Sequence, residues 1–264
     1  MNASRQIDDG RAPAVAVRAL DAGYGESVVL RDVNFEVASG EVFAILGRSG
    51  SGKSTLLRHM IGLDPPLAGE VLVGGRSFQQ AGESAHRDIL KSIGVAFQNG
   101  ALFGSLSLAE NISLPLEEFT SLPPAARRHI AWLKLELVGL GDYADWLPDA
   151  ISGGMRKRAA LARALALEPS VLFLDEPSAG LDPVTSAQLD RLILELRDAM
   201  GVTFVIVSHE LPSIFTVADR ALMVDKQSAG VIALGPPREL RERSRDPRVR
   251  RFLTASPDEH SNHE

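Results

Sequence analysis

The sequence predicts an α/β fold: a doubly wound core, an antiparallel β portion ahead of it and a helical insert within it. Three observations predict this. An apolar run of strand length, Glu41 to Leu46, leads directly into Gly47-Arg48-Ser49-Gly50-Ser51-Gly52-Lys53-Ser54-Thr55 and then into a helical stretch, Leu56 to Ile61. That loop fits G-x-x-x-x-G-K-[ST] in the strand–loop–helix context that the pattern needs. Further short apolar runs, Ile93 to Phe97, Val171 to Leu174 and Val202 to Val207, alternate with helical stretches. Residues 99–150 show helical spacing and no strand alternation.

The loop's residue types follow from its chemistry. Gly47, Gly50 and Gly52 let the backbone turn tightly, so that successive N–H groups of Gly47 to Thr55 face one anion. The helix that follows adds its positive end. Lys53 reaches the outer phosphates, and the Ser54 hydroxyl suits Mg²⁺.

Composition bounds the rest. At 264 residues the chain is one large domain or a domain with a subdomain. Apolar content of 45% and charged content of 23% are ordinary for a globular protein. A net charge of −6 gives no global attraction to nucleic acid. With no cysteine, disulfides and thiolate metal sites are excluded, which fits a reducing compartment. Residues 1–13 are polar, carry Asp8 and Asp9, and lack the apolar core of a signal peptide; they are expected to be disordered. No apolar run is long enough to span a bilayer, so the chain is expected to be soluble by itself, with any spanning part supplied by another chain.

In chain order, alternation at Val15 and Val17, a turn at Gly23-Tyr24-Gly25 and a strand from Val28 to Val37 form an antiparallel flap. Tyr24 is either an aromatic for stacking on adenine or an ordinary turn residue. Asp64-Pro65-Pro66 breaks the chain, and Gly69 to Gly75 is a strand into a Gly-Gly turn. Glu83 to Lys91 is helical, and Ile93 to Phe97 ends at Gln98, whose amide can ligate Mg²⁺ or a water.

In the insert, Leu108 to Ser113 and Pro124 to Leu140 are helical. Ile130, Leu133 and Leu137 form the expected apolar stripe, with Trp132 and Trp146 as core. Residues 101–106 are either a docking surface or subdomain core. Ser152-Gly153-Gly154 opens a helix from Met155 to Ala166, either as a second anion-binding helix start or as a plain N-cap with a solvated basic face at Arg156, Lys157, Arg158 and Arg163.

Val171 to Leu174 ends in Asp175-Glu176-Pro177, where doubly wound sheets bind ligands. Asp175 suits Mg²⁺, and Glu176 suits a general base that orients water. Thr185 to Ala199 is a helix. Val202 to Val207 ends in Ser208-His209-Glu210, placing His209 at the same edge, and Ala221 to Val224 and Val231 to Leu234 close the sheet. Residues 236–264 form a polar, arginine-rich tail, helical up to Pro247 and expected to be largely solvated.

Taken in order over residues 14–235, these pieces resemble the nucleotide-binding subunit of ABC transporters. The resemblance implies a RecA-like P-loop ATPase core with an antiparallel β subdomain and an inserted α-helical subdomain at about 99–165. It identifies residues 47–54 as Walker A, Gln98 as the Q-loop glutamine, and Ile151-Ser152-Gly153-Gly154-Met155 as the signature, usually L-S-G-G-Q. It also gives 171–176 as Walker B, 178–182 as the D-loop and His209 as the switch histidine.

Two subunits are then implied to pair head to tail, with Ser152, Gly153 and Gly154 of one completing the ATP and Mg²⁺ site at Lys53 of the other. Lys53, Glu176 and His209 are the implied catalytic residues, and Ser54, Gln98 and Asp175 the metal residues. The stretch Ser152–Ala164, with Met155 for the usual glutamine, further resembles the ATPases of Mla/Mce-type lipid transport systems, as do Phe97–Phe103 and Ser208–Ser213. That resemblance implies a peripheral place on the cytoplasmic face of a bacterial inner membrane, a separate permease, an Mce-type substrate-binding protein and a small cytoplasmic accessory subunit. A small-solute importer ATPase is the alternative. A non-transport ABC ATPase in DNA repair fits less well, because the insert is short and has no heptad run.

Overall fold

A computed structural model describes residues 12–254. The expectation for residues 1–13 lies almost wholly outside the described residues.

The strands are β1 (Val15–Tyr24), β2 (Ser27–Val37), β3 (Val42–Leu46), β4 (Ala68–Val73), β5 (Arg76–Ser77), β6 (Ile93–Ala96), β7 (Val171–Asp175), β8 (Thr203–Val207), β9 (Arg220–Asp225) and β10 (Gly230–Gly235). The helices are α1 (Lys53–Met60), α2 (Glu83–Ser92), α3 (Leu108–Phe119), α4 (Pro124–Leu137), α5 (Gly153–Ala164), α6 (Pro183–Met200), α7 (Leu211–Val217), α8 (Pro237–Arg243) and α9 (Pro247–Thr254).

The strands form two sheets. One is antiparallel, in the order β2-β1-β4-β5, and the other has the order β10-β9-β3-β8-β7-β6. In the second sheet all neighbours run parallel except β10, which is antiparallel to β9. The patterns explain this. Every residue of β3 and β8 is buried, as a strand covered on both faces requires. In β2, Leu30, Val33, Phe35 and Val37 are buried while Arg31, Asp32, Asn34 and Glu36 are exposed, the alternation of a sheet with one wet face. Ala96 pairs with Leu174, Asp175 with Val207, and Ile45 with Val207. The carboxyl ends of β3, β6, β7 and β8 are therefore level, and the residues that follow them share one edge.

Three apolar clusters hold the layers. The first, between the sheets and α1, contains Leu30, Phe43, Ile45, Leu56, Leu57 and Phe173. The second packs α6, α7 and α9 on the other face of the large sheet, through Leu189, Ile193, Ile214 and Phe252. The third joins α3, α4 and α5 through Leu108, Ile112, Leu135 and Ala159. Helix α5 contributes Leu161 to the second and Ala159 to the third, so it ties the helical insert to the core. Each such side chain contributes roughly 1.5–3 kcal/mol on burial.

Three expectations need correction. Trp132 and Trp146 are 41% and 47% exposed and are not core. The face of α4 that packs inward is Ala131, Leu135 and, just past its end, Val138, while Leu133 and Leu137 lie on the surface. The true stripe is offset by one position from the expected one, with the small Ala131 against the neighbouring helices. The tail also differs: α9 begins at Pro247, and Val249, Phe252 and Leu253 enter the second cluster. Their i, i+3, i+4 spacing is an apolar stripe masked by three arginines, Arg248, Arg250 and Arg251.

Candidate active site

Residues 47–52 connect β3 to α1. Gly52 precedes the helix at φ 100, where a Cβ would lie 2.9 Å from Val29 Cγ1, and Gly47 at φ 152 passes so close to strand β9 that a Cβ would lie 2.6 Å from Val224 O. Arg48, Ser49 and Gly50 are exposed, as is Ser54 in the first turn of α1. The loop is thus open to a ligand while its flanks are fixed. Lys53 is buried, and its Nζ donates to the carbonyls of Gly47 (2.8 Å) and Arg48 (3.2 Å). Burial lowers its pKa, and the nearby Glu176 and Asp175 oppose that shift. Ser51 Oγ is buried without a partner. An ammonium satisfied only by carbonyls and an orphaned hydroxyl in one glycine loop fit a phosphate chain.

Tyr24 stands at the tip of the β1–β2 hairpin, half exposed, and its hydroxyl accepts a bond from Thr55 Oγ1 (2.9 Å). The buried His59 of α1 fixes the hairpin tip. Its Nε2 accepts from the Gly23 N–H (3.1 Å), so Nδ1 carries the proton and donates to the Asp64 carbonyl (3.0 Å).

Asp175 ends β7. Burial, then the adjacent Glu176, push its carboxyl pKa up, and Lys53 partly offsets them. Glu176 has φ 47, and its N–H donates to Val207 O (2.8 Å). Its Oε2 accepts from Ser208 Oγ (3.2 Å) and the His209 N–H (3.4 Å). Its Oε1 lies 2.8 Å from His209 Nδ1, so that nitrogen is the donor. This bond to Glu176 is the main cause of the raised His209 pKa. Gln98, two residues beyond β6, is exposed at the same edge.

The structure therefore assembles Gly47–Thr55, Gln98, Asp175, Glu176 and His209 along one edge. It does not bring Ser152, Gly153 or Gly154 there. Ser152 is the exposed N-cap of α5, its hydroxyl accepting from the Met155 N–H (3.2 Å). Among the described residues, no hydrogen bond joins 152–154 to the phosphate loop.

The basic row of α5 is not a solvated face. Arg163 donates to the carbonyls of Gly100 and Ala101 just after Gln98 (2.8 and 2.7 Å), and Arg156 to that of Ile151 (3.0 Å). Lys157 Nζ donates to the Glu176 carbonyl (2.9 Å). Sequence reading missed His59, Ser208 and these brackets because their partners are mostly backbone atoms, which leave no sequence pattern.

The family profile described as ABC transporter matches residues 30–179. The chain belongs to the ABC transporter family. It is an ATP-binding ATPase of that family. It is 40% identical, over 94% of its length and 91% of the relative's, to the intermembrane phospholipid transport system ATP-binding protein MlaF of Escherichia coli. It is 41% identical, over 93% of its length and 71% of the relative's, to a probable ribonucleotide transport ATP-binding protein of Mycobacterium leprae. Solved ABC cassettes share the fold. A dimeric post-hydrolysis state bound to ADP and phosphate superposes with TM-score 0.75 at 30% identity, covering 84% of this chain and 98% of that one. The cbiO1 protein of Clostridium perfringens, part of an ABC transporter complex, gives 0.77 at 28% identity, covering 92% and 99%.

Proposed function

We propose that this ABC ATPase works as a head-to-tail homodimer that drives lipid transport between bacterial membranes through a separate permease. The observation that carries the dimer is the split site. Every polar group expected at the phosphates lies along one sheet edge except the helix start at Ser152, which faces outward. A second copy would supply it, as the dimeric state of the solved cassette bound to ADP and phosphate supports. The lipid reading rests on MlaF, matched over nearly its whole length, and on the Ser152–Ala164 stretch. A peripheral position at the cytoplasmic face follows from that partnership. No helix among the described residues is long and apolar enough to cross a membrane.

In this reading Gly47–Thr55 bind the phosphates of ATP, and Lys53 swings from its two carbonyls to the outer phosphate. Tyr24 stacks on the adenine. Glu176 accepts hydrogen bonds from Ser208 and His209 that orient its carboxylate, and the acid positions the attacking water. The oxygen donors Ser54, Gln98 and Asp175 suit Mg²⁺. The raised Asp175 carboxyl marks a spot where added positive charge relieves two crowded acids. Mg²⁺, when bound, would neutralise phosphate charge. The helical subdomain, about residues 99–165, presents the exposed Phe103, with Phe97 just before it, as the permease-docking region beside Gln98.

The test is purification of the tagged chain from its native membrane with mass spectrometry of proteins and lipids. A permease, an Mce-domain protein and phospholipid are the expected companions, with a small accessory subunit. A different permease with a solute-binding protein overturns the lipid reading. It supports a small-solute importer, the alternative favoured by the name of the Mycobacterium relative.

A further inference from the structure

Glu176 is held by strand β8 and the loop after it, by helix α5 and by the turn that follows it in the chain. Its N–H, both carboxylate oxygens and its histidine partner engage strand β8 or the loop after it: Val207, Ser208 and His209. Its carbonyl accepts from Lys157 of helix α5 (2.9 Å) and, within the turn that follows, from the Ala179 N–H (3.2 Å). Lys157 lies five residues after the N-cap Ser152, about 7.5 Å along the axis. The Glu176 backbone needs such a hold. At φ 47 a non-glycine residue sits in the sparsely populated left-handed region, which is strained and persists only when its surroundings fix it. The Lys157 side chain is half-buried near Glu176 and Glu210, and its Nζ donates to the Glu176 carbonyl, which no β8 atom engages and which it shares with the Ala179 N–H.

We propose that Lys157 is a positioning residue for hydrolysis: by holding the Glu176 carbonyl it fixes the left-handed backbone that aims the Glu176 carboxylate at its Ser208 and His209 partners. It also links the end of α5 that carries Ser152 to the acid at the sheet edge. A displacement of α5 would therefore be felt at Glu176 through this one side chain. The inference rests on the reading of Glu176 as the residue that positions water. Lys157 acts on the acid's aim and not on nucleotide affinity, so its signature is in kcat.

The experiment compares Lys157→Met, Lys157→Arg, Glu176→Gln and the double variant Lys157→Met with Glu176→Gln, by steady-state and single-turnover ATP hydrolysis, with fluorescent ATP binding alongside. Lys157→Met keeps the stem and removes the donor. It is expected to lower kcat about tenfold with KM for ATP and nucleotide affinity within about twofold. Lys157→Arg, which restores a donor, is expected to return kcat to within about threefold of the unaltered chain. The double variant is expected to be no slower than Glu176→Gln alone, because the lysine acts through the acid. A Lys157→Met rate within twofold of the unaltered chain overturns the proposal. So does a Lys157→Met loss that multiplies with that of Glu176→Gln. If Glu176→Gln itself hydrolyses at near the full rate, the assignment of the acid fails, and the role of Lys157 fails with it.

Discussion

At the scale of residues, the surroundings of Glu176 decide what the carboxylate can do. Three donors, Ser208 Oγ, His209 N–H and His209 Nδ1, converge on its two oxygens. Glu176→Gln keeps the shape but removes the base. Single-turnover hydrolysis is expected to fall by about 10²–10⁴-fold with ATP binding retained. The His209 bond has a pH signature. Because that bond raises the histidine pKa above its usual 6.5, its contribution to stability is full below that value and is lost as pH rises through the folded-state pKa. The Tm difference between the unaltered chain and His209→Gln should be largest below pH 6.5 and shrink as pH rises through the folded-state pKa; a difference growing with pH would refute the pairing. His59 offers a third test. His59→Leu leaves the buried Gly23 N–H without an acceptor, at a cost of about 1–3 kcal/mol, and loosens the hairpin tip that carries Tyr24. KM for ATP should rise severalfold with kcat little changed. The loop at residues 47–55 was legible in the sequence because an anion loop demands glycines, a lysine and a hydroxyl at fixed spacing. His59 and Lys157 were not, because each bonds a backbone atom in a segment far along the chain, Gly23 and Glu176.

At the scale of elements, periodicity located the helices better than it oriented them. The spacing of Ile130, Leu133 and Leu137 placed α4 but not its inward face, which is Ala131 and Leu135. Side-chain size misled: the small Ala131 is buried against neighbouring helices beside Leu135, with Ile130 partly packed, while Leu133 and Leu137 turn outward. The strands were more legible, since β3 and β8 are covered on both faces and read as unbroken apolar runs. Helix α9 escaped notice because Val249, Phe252 and Leu253 are set among arginines, one of which, Arg248, binds Asp225 at 2.7 Å. Its packing makes a measurable claim. Phe252→Ala should cost about 3–5 kcal/mol, read as a lower urea midpoint, whereas the exposed Trp132→Ala should stay within about 0.5–1 kcal/mol. Equal effects would mean that α9 does not contribute to the core.

At the scale of the whole molecule, the proposed site is divided between the sheet edge that carries the phosphate loop and the exposed helix start at Ser152. A chain that hydrolysed ATP alone would have no use for the exposed Ser152-Gly153-Gly154 start, so the arrangement calls for exchange between two copies, and a mixing experiment reads that exchange directly. Lys53→Ala disables the phosphate edge. Ser152→Asp keeps an N-cap for α5, since aspartate caps as well as serine, but sets a negative charge where the second copy's phosphates would lie. Each variant alone should be inactive. Mixed in equal amounts, half the dimers pair the two variants. In a head-to-tail arrangement one site of such a dimer then combines both defects, while the other combines an intact Lys53 with an intact Ser152. Activity should reappear at roughly a quarter of the unaltered rate per chain, because one site in two is whole in half the dimers. If both defects acted within a single chain, mixing would restore nothing, and the outward-facing helix start would be only the cap that the isolated chain displays.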